Sequence, residues 1–166
     1  MCHSSVKKVS STLKNGTFTV SGKGKMPESA MPKAAQKKKI KKIVIKNGVT
    51  ELPEDAFRDC SKATVITIAP TVNRIGAMAF YKTGVEKITI SDEVKYIREN
   101  AFNSLLSSTS QKFSIRSVVL NNNIETLPKY AFAGNKEIKV YTNKEIMIQR
   151  YTFDNCGEYE IIRLTH

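Results

Sequence analysis

Residues 66–80 read Ile66-Thr67-Ile68-Ala69-Pro70-Thr71-Val72-Asn73-Arg74-Ile75-Gly76-Ala77-Met78-Ala79-Phe80, and the pattern of this stretch recurs along the chain. Its closing pair returns as Ala56-Phe57, Ala101-Phe102 and Ala131-Phe132, and in degenerate form as Thr152-Phe153. The phenylalanines are 23, 22, 30 and 21 residues apart. Eight residues before the Phe stand Val49, Val72, Val94 and Ile124, and five before it stand Leu52, Ile75, Ile97, Leu127 and Ile148. Three residues after it lie Cys60, Thr83, Leu105, Asn135 and Cys156, mostly small or apolar side chains suited to a tight inward-facing turn. A fixed period of 20 to 50 residues is the mark of a repeat architecture.

Between one Phe and the next apolar pair lies a β-branched segment. Residues 40–45, 63–68, 85–90, 115–120 and 159–164 each follow an apolar-x-x-apolar-x-apolar rule, and Ile138-Lys139-Val140-Tyr141 is a shorter version. Alternate side chains of a strand point to opposite faces, so one set is buried while Val44, Thr67, Thr89, Val119 and Arg163 face outward. Such a unit cannot bury its own apolar face and must stack on copies of itself. The expected product is a parallel sheet on one side of a curved solenoid, with short helical or 3-10 turns at the Ala-Phe pairs.

The repeat resembles the BspA-like branch of the leucine-rich repeats, above all in Ile66-Thr67-Ile68-Ala69-Pro70, Val72, Ile75-Gly76 and Ala79-Phe80. The resemblance covers residues 40–166, and the segment from Gly16 to Pro27 resembles the small hairpin found ahead of such repeats. It departs where Pro70 is missing from other repeats, where Thr152 replaces Ala, and where the unit after Phe102 is longer. The fold class it implies is an α/β solenoid: a short right-handed leucine-rich-repeat array with a parallel sheet face, helical turns opposite, and an N-terminal β-hairpin cap. Relatives of this type are commonly bacterial cell-surface or secreted proteins that adhere to host or matrix proteins, so the resemblance implies protein binding and that location. A cytoplasmic location stays open.

The N-terminal piece can be read independently. Asn15-Gly16 between alternating residues is the strongest short-range hairpin signal, since both turn positions want positive φ. A hairpin here would cover the exposed end of the first repeat, as terminal caps do. The organisation expected is a flexible segment 1–12, a capping hairpin and basic linker over 13–39, and about five repeats over 40–166. At the other end Ile161-Ile162-Arg163-Leu164 is a strand with only Thr165-His166 after it. That strand is either a contact surface, self-association included, or the cut edge of a longer array.

A net charge of +12 suggests nucleic acid until its location is examined. Residues 1–48 hold 12 Lys against Glu28, or +11, and residues 49–166 hold 15 Lys and Arg against 14 acids, or +1. The basic character belongs to the segment Lys33–Lys46. Lys37, Lys38, Lys39, Lys41 and Lys42 form a candidate patch for nucleic acid or acidic glycans by counterion release. With no Trp in the chain and Phe18 the closest aromatic, base stacking is not expected there.

The search for chemistry is negative. His3 and His166 sit at opposite termini, no phosphate-cradling Gly loop or paired-cysteine metal signature occurs, and Cys2-His3 is too short a motif to count. Cys2, Cys60 and Cys156 are an odd number at wide spacing and read as free thiols; Cys60 and Cys156 share a repeat position that favours packing. No catalytic, metal or cofactor residue is assigned and an enzyme is not expected. No stretch reaches the roughly 18 apolar residues of a membrane span, and the first residues lack the apolar run of a signal peptide.

Surface recognition remains. A solenoid sheet offers one outward row per repeat, here Lys42, Val44, Lys46, Val65, Thr67, Lys87, Thr89, Ser117, Val119 and Arg163. A structural spacer within a larger surface protein is the further alternative. The Ser/Thr-rich insertion between Phe102 and Ile115 breaks the period and is expected to form a protruding loop.

Overall fold

The β-branched segments form short strands that pair with their own copies one repeat away, because each strand is buried on one face and can complete its hydrogen bonds only through a neighbouring coil. The structure, a computed structural model, describes residues 7–104 and 114–164. Cys2, His3, Leu105, His166 and most of the expected loop lie outside the described residues.

The first face carries strands β1 (Ser10–Lys14), β2 (Thr17–Ser21), β4 (Lys42–Ile45), β6 (Val65–Ile68), β8 (Lys87–Thr89), β10 (Ser117–Val119), β12 (Glu137–Thr142) and β14 (Glu158–Arg163). The second face carries the shorter β3 (Gly24–Lys25), β5 (Val49–Leu52), β7 (Arg74–Ile75), β9 (Tyr96–Ile97), β11 (Thr126–Leu127) and β13 (Met147–Ile148). Apart from the antiparallel β1–β2 hairpin, every pairing is parallel. The result is a β-solenoid of about six turns. Each sheet is interrupted once: the first between β6 and β8, the second between β9 and β11. At the first break Ile66 and Ile68, inward by register, are only half-buried.

The expected helical turns are absent, and with them the α/β label. Among the described residues helix is confined to α1 (Ala34–Lys37) and a 3-10 turn at Glu28–Ala30. The Ala-Phe segments are turns instead, with positive φ two residues before the Phe at Asp55, Met78, Asn100, Tyr130 and Tyr151, and two after it at Asp59, Lys82, Gly134 and Asn155. A left-handed residue on each side of the Phe prevents the bonds to residue i−4 that an α-helix needs. The N–H groups point along the solenoid axis and donate to the next coil: Asp55 to Ala77 O (2.9 Å), Phe57 to Ala79 O (2.7 Å) and Asp59 to Tyr81 O (2.9 Å). The same three rungs join Met78, Phe80 and Lys82 to Glu99, Ala101 and Asn103. The Phe ring is thereby held pointing inward in every coil but the last.

Those rings make one column. Phe57, Phe80, Phe102 and Phe132 stack nearly parallel at 5.4–5.5 Å, with Phe18 edge-on against Phe57 at one end and Phe153 following Phe132 at 6.0 Å at the other. Around the column the residues eight and five before each Phe are buried, as the spacing implied, except in the final coil, where Ile148 is 38% exposed. That coil has a covered neighbour on one side only. Thr152, standing where other repeats have Ala, is buried and donates its hydroxyl to Gln149 O at 2.7 Å and Pro128 O at 3.1 Å, so the extra polar atom is satisfied.

The hairpin turns at Asn15 and Gly16 with both φ positive, as expected. Strand β1 begins at Ser10, inside the segment 1–12 expected to be flexible, because Ser10 pairs with Ser21 and the adjacent Val9 is buried. The hairpin extends the sheet rather than lying across its end: β2 pairs in parallel with β4, aligning Phe18 with Ile43, and Gly16 O accepts the N–H groups of Lys41 and Lys42.

Close coil spacing sets what a repeat tolerates. Gly76 donates its N–H to Leu52 O, and a Cβ there would lie 2.5 Å from the carbonyl carbon and oxygen of Pro53. Backbone cannot yield as a side-chain tip can. Gly76→Ala is expected to cost about 1–3 kcal/mol, seen as a lower urea midpoint.

Candidate functional site

The register of the first sheet assigns outward positions without ambiguity. In its N-terminal half Lys14, Thr17, Lys42 and Val65 lie side by side, and Thr12, Thr19, Val44 and Thr67 form the adjacent row. In its C-terminal half Lys87 aligns with Ser117, Lys139 and Glu160, and Thr89 aligns with Val119, Tyr141 and Ile162. Alternating residues are inward: Phe18, Ile43, Ile88, Val118 and Val140 are buried.

Most of the expected face is therefore found together. Lys42, Lys46, Thr67, Lys87 and Thr89 are exposed, Val44, Ser117 and Val119 are half-buried, and Val65 is 48% exposed. Arg163 is the exception. It pairs with Thr142, whose side chain is buried, and Ile162 takes the outward position beside Tyr141. Counting back from the strand's last apolar residue put its register one place out, because the repeat before it is only 21 residues long. Arg163 is exposed only because nothing covers the last strand, and it donates to Glu145 Oε1 at 2.9 Å. The repeat pattern missed Lys14 and Thr17 of the hairpin, Lys139, and the Tyr141–Ile162 pair.

The basic patch is divided. Lys33 precedes α1 and its N–H donates to Gln36 Oε1 at 2.8 Å. Lys37 ends α1, Lys38 and Lys39 are exposed in the following turn, and Ile40 is buried. Lys41 is exposed at the entry to β4, and Lys42 belongs to the outward row of the sheet. Lys37–Lys39 and Lys42 thus present charge at different places on the first coil.

A groove of about 500 Å³ opens at the interruption of the second sheet, lined by Lys95, Tyr96, Arg98, Glu125, Thr126 and Pro128 among others. Four residues before the Phe, Gly76, Arg98 and Gln149 each donate an N–H to the preceding coil, at Leu52 O, Ile75 O and Leu127 O. Pro128 occupies that position in its own coil and has no N–H to give, as does Pro53 in the coil of Phe57, where the strands stay paired.

The thiols behave as packing residues. Cys60 is fully buried, and burial pushes its thiol from its ordinary value near 9 up to about 12. Cys156 is raised too, first by burial and then less so because the N–H groups of Asn135 and Gly134 favour its thiolate. Its Sγ donates to Phe132 O at 3.3 Å. Because folding favours protonated Cys60, its contribution to stability is complete below about pH 9 and is lost as pH rises toward 12. Cys60→Ala is therefore expected to reduce the fall in stability between pH 8 and pH 10, measured by urea unfolding at both.

Among the described residues no helix is long and apolar enough to cross a membrane. The family model for the BspA type leucine rich repeat region matches residues 31–160 in six copies, one more than the five expected. A leucine-rich repeat protein from Eubacterium ventriosum superposes with a TM-score of 0.75 at 23% identity, over 96% of this chain and 42% of that one. A second, from Bacteroides ovatus, gives 0.53 at 22% identity, over 93% of this chain and 51% of that one. The chain thus spans about half the length, or less, of both structures. No curated protein matches the chain significantly. With six copies of the repeat over residues 31–160 and the column of phenylalanines they generate, the chain belongs to the BspA-type leucine-rich repeat family.

Proposed function

We propose that the chain is a non-catalytic recognition module that binds a protein partner through the outward face of its first sheet, in an adhesive role at a cell surface or after secretion. The observation that carries this reading is the sheet face itself. Thr67 stands exposed beside Val44 and Thr89 beside Val119, and Lys42 and Lys87 are outward two residues before Val44 and Thr89. A flat surface of apolar and hydroxyl groups rimmed by cations suits a protein interface. Its family supports the general role, and the location is carried by analogy with relatives. The test is binding to a panel of immobilised matrix proteins, comparing the chain with a Thr67→Glu/Thr89→Glu variant. Both sites are exposed strand positions, so the expected result is loss of binding by about tenfold or more with an unchanged melting temperature.

A second reading rests on Lys38, Lys39 and Lys41, each of which is exposed. It assigns Lys33–Lys46 to polyanion binding. Changing Lys37, Lys38, Lys39, Lys41 and Lys42 to Gln is then expected to abolish salt-sensitive retention on heparin and on duplex DNA.

A further inference from the structure

The cations of the first sheet are regularly spaced in a way the sequence does not display. Lys14 lies on β1 and Lys42 on β4, with Thr17 of β2 between them. Lys87 lies on β8 and Lys139 on β12, with Ser117 of β10 between them. Val65 of β6 is paired with Lys42 and ends the first half of the face at the break before β8. Each half of the face thus carries outward lysines on alternate strands at one level, Lys14 with Lys42 and Lys87 with Lys139. Strands are about 4.8 Å apart, so the two lysines of each pair are separated by about 10 Å, and the two pairs lie on either side of the break between β6 and β8.

The row is available. All four lysines are exposed, and among the described residues Lys14, Lys42 and Lys87 have no ion-pair partner. An acid enters the row only at its far end, where Glu160 Oε2 is 3.6 Å from Lys139 Nζ. The parallel row alongside supplies hydroxyls at Thr12, Thr19, Thr67 and Thr89. Intervening positions are small or flat, which lets an extended chain lie across the strands.

Resting on the reading that this face is the recognition surface, we propose that it takes a linear acidic polysaccharide laid perpendicular to the strands, one lysine meeting the anionic group of each disaccharide. Alternating sugars place their charges at a separation of the same order as the lysines, and ring hydroxyls fit the threonine row. Duplex DNA fits less well. Its phosphates follow at about 3.4 Å along each strand, and among the described residues the face offers only the half-buried Tyr141 for stacking.

The experiment measures binding of heparin oligosaccharides of increasing length by calorimetry. It compares the intact chain with a row variant (Lys14→Gln, Lys42→Gln, Lys87→Gln, Lys139→Gln) and a turn variant (Lys37→Gln, Lys38→Gln, Lys39→Gln). Affinity is expected to rise with length, first as one lysine pair about 10 Å across is spanned and again as the oligosaccharide reaches the second pair, and then to level off. The row variant is expected to lose about tenfold or more, the turn variant at most about threefold. Equal loss in both variants, no dependence on length, or equal competition by duplex DNA overturns the proposal. So does an intact chain that binds no oligosaccharide. If that chain still binds a matrix protein in a manner abolished by Thr67→Glu/Thr89→Glu, the recognition face stands and only its glycan ligand is lost. If Thr67→Glu/Thr89→Glu leaves both kinds of binding unchanged, the face itself is wrong.

Discussion

Replacing Phe102 by Ala is expected to lower the free energy of unfolding by about 3–5 kcal/mol, the range for losing a fully buried aromatic ring. The ring stacks on Phe80 at 5.4 Å and on Phe132 at 5.5 Å, within 5° of parallel to both. Removing it leaves a void bounded on two sides by rings whose own backbone is held by the inter-coil ladder. Phe102 donates its N–H to Ala131 O at 2.9 Å, and Phe80 donates its own to Ala101 O at 2.8 Å. The coils cannot slide together to close the gap. Since each coil touches only its neighbours, the loss falls on the interface between the two halves of the array and is expected to lower cooperativity as well. Urea unfolding followed by far-ultraviolet circular dichroism checks both, as a lower midpoint and a shallower transition. Phe153→Ala is the control: that ring is only half-buried in the last coil, so its removal should cost clearly less. Equal losses at the two positions would count against the column as the central support of the fold.

The second large effect is expected at Asn135. It is fully buried three residues after Phe132, where other coils carry Cys60, Thr83 or Cys156. Its Oδ1 accepts from Ser104 Oγ and from the N–H of Ile115, each at 2.8 Å, and its Nδ2 donates to Phe132 O at 2.6 Å and Phe102 O at 3.4 Å. One amide thus ties together the residues flanking the insertion and the coil that receives them. Asn135→Ala leaves the Ile115 N–H and two carbonyls buried without this partner, at about 1–3 kcal/mol for each group left unsatisfied. Partial relaxation brings the expected total to about 2–4 kcal/mol. Asn135→Cys should fall between, because a thiol can donate to Phe132 O as Cys156 does but offers Ile115 only a weak acceptor. Thermal melts of the three chains separate a hydrogen-bonding role from simple volume, which would instead rank Cys and Ala by size alone.

Asn135 also marks a limit of pattern reading. Its place in the repeat was legible, and an inward position was inferred correctly. That it closes a network across a 30-residue repeat was not, because Ser104 and Ile115 meet it only after the coils stack. The helical turns failed for a related reason. Ala-Phe flanked by polar residues is compatible with a helix locally, yet Met78, Lys82 and Tyr130 all adopt positive φ. For bulky residues this is strained, at about 1–3 kcal/mol each, and it persists because the N–H groups gain rungs to the next coil. No single repeat contains that partner.

The candidate surface divides in the same way. Val44, Thr67, Thr89 and Val119 were placed outward by period-two alternation, and the register aligns Val44 with Thr67 and Thr89 with Val119. Lys14, Lys87 and Lys139 looked unrelated at separations of 73 and 52 residues. Conversely, the dense run from Lys37 to Lys42 looked like one patch and is split by the buried Ile40.

The sequence by itself determined which residues are inside. The phenylalanines, the apolar positions before them and the Asn15-Gly16 turn follow from side-chain chemistry repeated at a fixed interval, and hydrophobic burial depends on that interval alone. Only the tertiary structure decided which outward residues are neighbours, where the sheets break, and what conformation the turns take. These depend on hydrogen bonds between residues about a coil apart, and such bonds exist only once the coils are stacked.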